Sequence, residues 1–217
     1  MLKALASAAT AASVATTLLA TTVAAAQETK LRPSFLVTSP TYPEFASIDR
    51  RSAASERDCG GQNLSPALAW SGEPSRTQSF AVYFQDPDGM FGQGEAKWIG
   101  YNIPSSVHAL AEGAMSGSTP GVTVGLNEHD ESAYYGPCPP YGTMHHYVYG
   151  VYALDLPVGS LKPGLNKIDF LKALKGHVVA YQSIVFAYQR PLPANGVIPA
   201  WTPRQPRKAP SGSPSEP

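Results

Sequence analysis

Three short segments of this 217-residue chain carry residue types that bind or transform small ligands. The first is Asp86–Asp88 (Asp-Pro-Asp), in which a proline separates two carboxylates. The second runs from Gly136–Pro140 (Gly-Pro-Cys-Pro-Pro) to His145–Tyr147 (His-His-Tyr), and the third is Asn63–Pro66. Prolines remove chain entropy and glycines let a ligand approach the backbone, so segments of this kind favour a pre-organised pocket.

Each of these side chains has a hydrogen-bonding role that it could take in such a pocket. His145 and the amides of the Gly136–Pro140 loop can donate to the oxygens of an anion. Asp86 can orient the histidine or accept from an ammonium group. Asp88 has a second interpretation, because Asp-Pro-Asp also makes an Asx-type turn. Since side chains alternate along a strand, His146 is expected on the opposite face from His145, outside the pocket.

The elements around these segments have the pattern of antiparallel sheet. Apolar residues alternate with period two at Phe80–Phe84, and this strand ends at the turn that contains Asp86. Three further strands are predicted at Trp98–Ile103, Tyr147–Leu154 and Ser183–Tyr188. Short β runs between Gly- and Pro-rich connections predict a mostly β fold, an antiparallel β-sandwich of two sheets with one or two short helices.

One helix is predicted near the end of the domain, with a packing role. Asn166 can cap its first turn and Gly176 marks its end. Its predicted apolar face consists of Ile168, Leu171 and Leu174.

The two ends of the chain are predicted to lie outside the folded domain. Lys3, the apolar Leu5–Ala26 stretch and the small residues Ala24–Ala26 are typical of a signal peptide, so residues 1–26 are assigned to one. The alternative, a membrane anchor, fits a segment with few large apolar residues less well. Residues 27–190 form one domain, and residues 191–217, with eight of the chain's 21 prolines, form a disordered tail. A proline-rich ligand or a basic tether is the alternative for this tail.

Charge and cysteine content narrow the function classes. Without Lys3 the chain has 15 basic and 16 acidic residues, which gives no electrostatic case for nucleic acid. The sequence contains no basic amphipathic helix that would indicate a membrane-surface role, and it predicts no stable membrane anchor. No cofactor or metal is predicted either. Export to the periplasm or outside the cell makes a Cys59–Cys138 disulfide the expected state, with two buried free thiols as the alternative.

Several motifs occur together in the order of a known family, from Phe35 to Arg190. They are Ser65-Pro66 with Trp70, Ser79–Ala81, Asp86–Asp88, Tyr101–Pro104, Glu112-Gly113, Tyr135–Pro140, Gly142, His145, Tyr147 and Tyr152–Asp155. Together they resemble the phosphatidylethanolamine-binding family, most closely its bacterial Raf-kinase-inhibitor-like (YbhB/YbcL-like) branch. The Asp-Pro-Asp motif alone is weak, but joined to Gly-Pro-Cys-Pro-Pro and His145 it is specific.

The resemblance implies a β-sandwich with a small anion-binding cavity at one end, which takes phosphate, acetate or a phospholipid head group. The ligand-binding residues that it implies are Asp86, Asp88, Lys97, Gly136, Pro137, Cys138, Pro139, His145 and Tyr147. Two positions depart from the family: Lys97 replaces a histidine, and His146 replaces an arginine. Lys97 could keep the cavity cationic as a flexible point charge, or it could be a solvated lysine at a strand edge.

Three function classes follow. The leading one is an exported binding protein for phosphate or a phospholipid head group. The second, implied by the family's kinase- and protease-inhibiting members, is an inhibitor or modulator of a partner protein. The third is a hydrolase that uses Asp86 and His145 with Ser65 or Ser183 as nucleophile, although no Gly-x-Ser-x-Gly motif surrounds either serine.

Overall fold

The structure is a computed structural model, and it describes residues 35–117 and 119–200. Over these ranges the chain forms eight strands in two antiparallel sheets, two short helices and three 3-10 turns. The predicted signal peptide and the tail beyond residue 200 lie outside the described residues. Residues 191–200 form neither helix nor strand.

The larger sheet has five strands in the order β6-β4-β3-β7-β8. They are β3 (Ser79–Asp86), β4 (Glu95–Pro104), β6 (Thr123–Val124), β7 (Met144–Leu154) and β8 (Val178–Gln189). The four strands predicted from alternation are therefore confirmed, and each is longer than predicted at one end or both. Because β3 and β7 are antiparallel neighbours, the end of β3 and the start of β7 lie side by side.

The smaller sheet covers one face of the larger sheet. Its strands are β1 (Leu36–Thr38), β2 (Leu68–Ser71) and β5 (Ala109–Leu110), in the order β1-β2-β5. Side chains of both sheets share one core, in which Trp70 of β2 packs edge-on against Phe80 of β3 with ring centroids 5.5 Å apart. The predicted sandwich of two antiparallel sheets is confirmed.

The other face of the larger sheet is covered by helix α2 (Lys167–Leu174). Asn166 caps it, since its Oδ1 accepts from the Asp169 amide at 3.0 Å, as predicted. The predicted apolar face is confirmed at Leu174 but wrong at Ile168 and Leu171. Phe170 and Leu174 pack on the sheet, whereas Ile168 and Leu171 are 63% and 40% exposed. Residues four apart share a helix face, so the sheet buries only this pair.

The remaining helical elements are short. Helix α1 (Gly89–Gly92) is a single irregular turn after β3, and the 3-10 turns are Arg50–Ser52, Arg57–Cys59 and Ala114–Ser116. Among the described residues, none of the helices has the length and apolarity needed to cross a bilayer.

Candidate functional site

A buried Asp86–His145 pair lies where β3 ends and β7 begins. Nδ1 of His145 is 2.9 Å from Oδ2 of Asp86 and 3.1 Å from Oδ1. Both side chains lie on the inner face of the larger sheet, the face that carries Phe84 and Tyr147. An ionised Asp86 accepts from Nδ1–H, which leaves Nε2 as the ring nitrogen that can meet a ligand.

The turn after β3 holds the Asp86 carboxylate in place. Its Oδ1 accepts from the backbone amides of Asp88, at 3.1 Å, and Gly89, at 3.0 Å. This is an Asx-type turn, and Pro87 within it restricts the backbone further. Asp86 is therefore positioned by its own loop before any ligand arrives.

The second carboxylate of the motif, Asp88, is paired with His146 and not with His145. Its Oδ2 accepts from the His146 amide at 2.7 Å and lies 2.9 Å from the ring Nδ1. The hydrogen bond from that amide keeps the pKa of Asp88 below its ordinary value. His146 is exposed and alternates with buried His145 and Tyr147, so it faces away from the core as predicted.

Lys97 is buried, so the alternative of a solvated lysine is wrong. Its side chain is 3% exposed, and its Nζ lies 2.7 Å from Glu95 and 3.2 Å from Glu128. The ammonium also lies 4.7 Å from the centroid of the Tyr135 ring. Burial alone would lower the pKa of Lys97, but the negative charges of Glu128 and Glu95 outweigh it and raise that pKa. The lysine is fixed between two carboxylates and is not a flexible point charge.

A β-bulge explains the inward position of Lys97. Gln85 of β3 pairs with Ala96, and Phe84 pairs with Trp98, so Lys97 is an extra residue without a partner in β3. The extra residue of a bulge changes the direction of neighbouring side chains. Every residue from Ala96 to Ile103 is buried because both faces of the sheet are covered, and the bulge sets the direction of the Lys97 side chain.

The charges around Lys97 do not add up to a cationic pocket. The Lys97 ammonium is paired with the carboxylates of both Glu95 and Glu128, and Nε2 of His129 lies 3.5 Å from Glu128 as well. Lys97 therefore adds no unpaired positive charge to the site. Burial raises the pKa of Glu128, which the attraction of Lys97 only partly offsets, and its Oε2 is buried without a hydrogen-bond partner in the described chain. Within the same residues, no group of three or more His, Cys, Asp and Glu side chains could hold a metal.

Two buried tyrosine hydroxyls complete the inner face. Tyr147 is two residues from His145 on β7, and Tyr188 of β8 lies directly across from His145. Among the described residues, the Tyr188 hydroxyl has no hydrogen-bond partner, and the Tyr147 hydroxyl is near the Asp86 carboxylate without forming a close hydrogen bond. Burial, followed by the negative charge of Asp86, raises the pKa of Tyr147 well above the ordinary value for tyrosine. Buried hydroxyls are usually satisfied, so two such donors beside a histidine are suited to a polar ligand.

The Gly136–Pro140 loop is held by the segment that precedes β2. The amide of Gly136 donates to Oδ1 of Asn63 at 2.8 Å. The sequence predicted that amides of this loop would donate to an anion, and this amide is not available to do so. A Cβ on Gly136 would lie 2.4 Å from the carbonyl oxygen of Ser52, which explains the glycine by close backbone packing. The Pro137 carbonyl accepts from the Ala54 amide at 3.0 Å. This part of the loop is scaffold.

The same loop passes along the end of the sheet that contains the site. Near one end, the Tyr135 amide donates to the Lys97 carbonyl at 3.0 Å; at the other, the Gly142 amide donates to the Arg190 carbonyl at 2.8 Å. Between them, Pro139 is buried and Cys138 forms the predicted disulfide with Cys59, which is thereby confirmed.

Sequence reasoning missed four groups near the site: Glu95, Glu128, Tyr188 and Arg190. Arg190 places its guanidinium 3.5 Å from the Tyr141 ring centroid and donates to Asp58 at 3.2 Å and to the sulfur of Cys138 at 3.8 Å. The spacing of Glu95 and Lys97, two residues apart on a strand, was a usable signal. Glu128 and Arg190 lie outside the regular strands, so no sequence pattern indicated that they would be near the site.

The two serines considered for a hydrolase are not arranged for that role. Ser65 is fully buried and its hydroxyl accepts from the Met115 amide at 3.1 Å. Ser183 pairs with Gly150, five residues along β7 from His145, which corresponds to about 17 Å. Ser183 is therefore out of reach of the Asp86–His145 pair.

Comparison with known proteins identifies the family. Residues 38–189 match the family model described as phosphatidylethanolamine-binding protein. The chain belongs to the phosphatidylethanolamine-binding protein family.

Relatives within this family confirm the bacterial YbhB/YbcL-like branch. A UPF0098 protein of Methanothermobacter thermautotrophicus is 38% identical over 144 residues, which cover 65% of this chain and 93% of that protein. YbhB of Escherichia coli is 37% identical over 124 residues, which cover 56% of this chain and 73% of YbhB.

A solved member of the family has the same fold. The crystal structure of E. coli YbcL, described as a new member of the mammalian PEBP family, aligns with a TM-score of 0.67 and 32% identity. The alignment covers 72% of this chain and 98% of YbcL. The protein is thus a ligand-binding member of the phosphatidylethanolamine-binding family.

Proposed function

We propose that this protein is an exported binding protein for a small ligand that carries a phosphate group, such as a phospholipid head group. The observation that carries the proposal is the buried His145, which is oriented by Asp86 and lies beside the unpartnered hydroxyls of Tyr147 and Tyr188. Among the described residues the two hydroxyls have no close acceptor, and phosphate oxygens are strong acceptors.

The phosphate would accept from Nε2–H of a protonated His145 and from the two tyrosine hydroxyls. Asp86 holds the imidazole ring through Nδ1, so that Nε2 is the atom that would face this ligand. Lys97 contributes less than the sequence suggests, because Glu95 and Glu128 already neutralise it. A phosphate alone would therefore find no unpaired cation at Lys97 and would lie near two carboxylates.

An amine on the same ligand would remove this mismatch. Oε2 of Glu128 is buried and has no hydrogen-bond partner among the described residues, so it can accept from an ammonium group. This favours a zwitterionic head group, phosphate with amine, over inorganic phosphate. The same site then binds both ends of the ligand by charge-assisted hydrogen bonds.

Export to the periplasm or out of the cell is part of the proposal. It is supported by the apolar segment before Gln27 and by the Cys59–Cys138 disulfide, which an oxidising compartment preserves. Cell fractionation of the full chain beside a chain that starts at Gln27 tests this. Equal cytosolic retention of both would contradict export.

Titration calorimetry with phosphate, ethanolamine and phosphoethanolamine tests the ligand. We expect phosphoethanolamine to bind more tightly than phosphate. Asp86→Ala and His145→Ala should each weaken its binding by about 1–3 kcal/mol, the scale of a charge-assisted hydrogen bond. His146→Ala is the matched control, since that neighbouring histidine faces outward and should leave affinity unchanged.

A Glu128→Gln variant separates the two parts of the ligand. It should weaken phosphoethanolamine binding and leave phosphate binding equal or stronger. If Glu128→Gln changes neither, the site binds only the anion. If no ligand shows saturable binding, or His145→Ala has no effect, the assigned site is wrong and modulation of a partner protein becomes the leading function.

A further inference from the structure

The loop after β3 presents two large apolar side chains to solvent. Phe91 is fully exposed and Met90 is 56% exposed. Both have left-handed backbone conformations, with φ of +58° and +48°, which residues other than glycine rarely adopt. Hydrogen bonds from the Gly94 amide to the Gly89 carbonyl (3.1 Å) and from the Gln93 amide to the Met90 carbonyl (3.2 Å) close the loop. We call these two residues the Met90–Phe91 tip; its strained geometry directs both side chains outward.

The tip is attached to helix α2. The ammonium of Lys167 donates to the carbonyls of Gln93, at 3.3 Å, and Gly94, at 3.2 Å. The next residue of the helix is Ile168, and it and Leu171 are the apolar side chains that α2 leaves exposed. The tip and the outer face of α2 therefore contribute exposed apolar groups to one region of the surface.

This region is also basic, although the chain as a whole has no net charge. Between residues 162 and 175 the sequence has lysines at Lys162, Lys167, Lys172 and Lys175, against one acidic residue, Asp169. Lys162, Lys172 and Lys175 are exposed. Asp88, before the tip, stays ionised because the hydrogen bond from the His146 amide lowers its pKa, so the positive charge is on the α2 side of this region.

We propose that the Met90–Phe91 tip and the lysines around α2 form a surface that docks on a lipid bilayer containing anionic lipids. An aromatic and a methionine side chain can enter the boundary between head groups and acyl chains, while lysines around them attract the anionic head groups. A protruding tip with a basic surround fits a deformable bilayer better than it fits a rigid protein surface. The inference does not rest on the proposed ligand, since docking requires none of the residues of the Asp86–His145 site.

Vesicle co-sedimentation of the full chain tests the proposal. The vesicles are pure phosphatidylcholine, or equal parts phosphatidylcholine and phosphatidylglycerol. Met90→Asn/Phe91→Asn removes the apolar tip, and asparagine tolerates the left-handed conformation, so the loop keeps its shape. Phe45→Asn is the matched control, because Phe45 is also an exposed phenylalanine (71%) with φ of +62° but lies in another turn. The apolar N-terminal segment is common to all variants, so their comparison isolates the tip.

We expect wild type and Phe45→Asn to bind the anionic vesicles equally. The tip variant, which loses two apolar side chains, should bind at least about tenfold more weakly, since burial of one phenylalanine already has that scale. Lys172→Glu/Lys175→Glu should lose at least about tenfold on anionic vesicles and little on neutral ones. The tip substitutions should weaken vesicle binding by the same factor in a His145→Ala background as in wild type, which separates this test from that of the ligand site.

The opposite results would overturn the proposal. They are equal binding of wild type to neutral and anionic vesicles, an equal loss in Phe45→Asn and the tip variant, or no wild-type binding at all. In the last case the surface would be assigned to a protein partner.

Discussion

Removing the Lys97 ammonium should destabilise the fold more than any other single charge change at the site. Lys97→Met keeps a long apolar stem in the same space and removes the positive charge. Glu95 and Glu128 are then left facing each other beside Asp86 without a cation. A buried charge without a partner is far more costly than a buried pair is stabilising.

The expected loss is about 3 kcal/mol in the free energy of unfolding. Removal of one partner from a buried ion pair typically costs about 3–5 kcal/mol. The lower end applies because Glu128 and Glu95 are 14% and 22% exposed, so water screens them in part. For a domain of about 150–250 residues, such a loss lowers the melting temperature by roughly 6–12 °C.

Urea unfolding measures this loss, and a compensated variant checks its cause. In Lys97→Met/Glu95→Gln/Glu128→Gln the orphaned charges are gone, so more than half of the stability should return. A loss below about 1 kcal/mol in Lys97→Met, or no recovery in the triple variant, would refute the argument from uncompensated charge.

The pH dependence gives an independent check. Burial already raises the pKa of Glu128, and loss of Lys97 should raise it further. A raised carboxyl pKa in the folded state means that stability is retained below the ordinary glutamate pKa and is lost as the pH rises through the folded-state pKa. The gap in unfolding free energy between wild type and Lys97→Met should therefore be larger at about pH 8 than at about pH 5.

Two further predictions concern the loop beside the site. Cys59→Ser/Cys138→Ser should lower the free energy of unfolding by about 2–5 kcal/mol in urea titrations, and a thiol assay that finds two free thiols in the denatured, unreduced wild type would contradict the disulfide. Gly136→Ala should lower the melting temperature and also weaken ligand binding, because the new Cβ would lie 2.4 Å from the Ser52 carbonyl oxygen and force the loop to move. Gly117→Ala, whose Cβ meets nothing closer than 4.0 Å, is its control, and equal effects of the two alanines would rule out the clash as the cause.

Much of the fold could be predicted because the long strands carry strong local patterns. Phe80, Val82 and Phe84 alternate toward one core, and the turn that follows ends the strand at Asp86. Strands of two to four residues, such as β5 and β6, escaped prediction because so short a segment has no measurable period. Their place is fixed by pairing with strands far away in sequence.

The helix shows where local patterns stop being sufficient. Its N-cap at Asn166 and its end near Gly176 depend on neighbouring residues, and both were predictable. Which face is buried depends on the sheet beneath it. Apolar residues at 168, 170, 171 and 174 fit two different faces, and only packing on Tyr83 and Tyr101 selects Phe170.

The candidate site was predictable in its residues but not in its charge. Asp86 and His145 belong to recognisable motifs, and the structure joins them. Lys97, considered alone, suggests a cationic pocket. Its second carboxylate, Glu128, is 31 residues away, and nothing in the sequence marks it as a neighbour.

This difference in charge changes which ligand the site can accept. A pocket histidine exchanged for an unpaired lysine would strengthen binding of any anion. The same lysine held between Glu95 and Glu128 adds no net positive charge and brings two carboxylates close to Asp86. An anion then binds well only if it carries its own cation to the carboxylates, or if His145 supplies the missing charge by protonation. Selectivity for a zwitterion over a simple anion thus follows from a contact that β-sheet register and one connecting loop create.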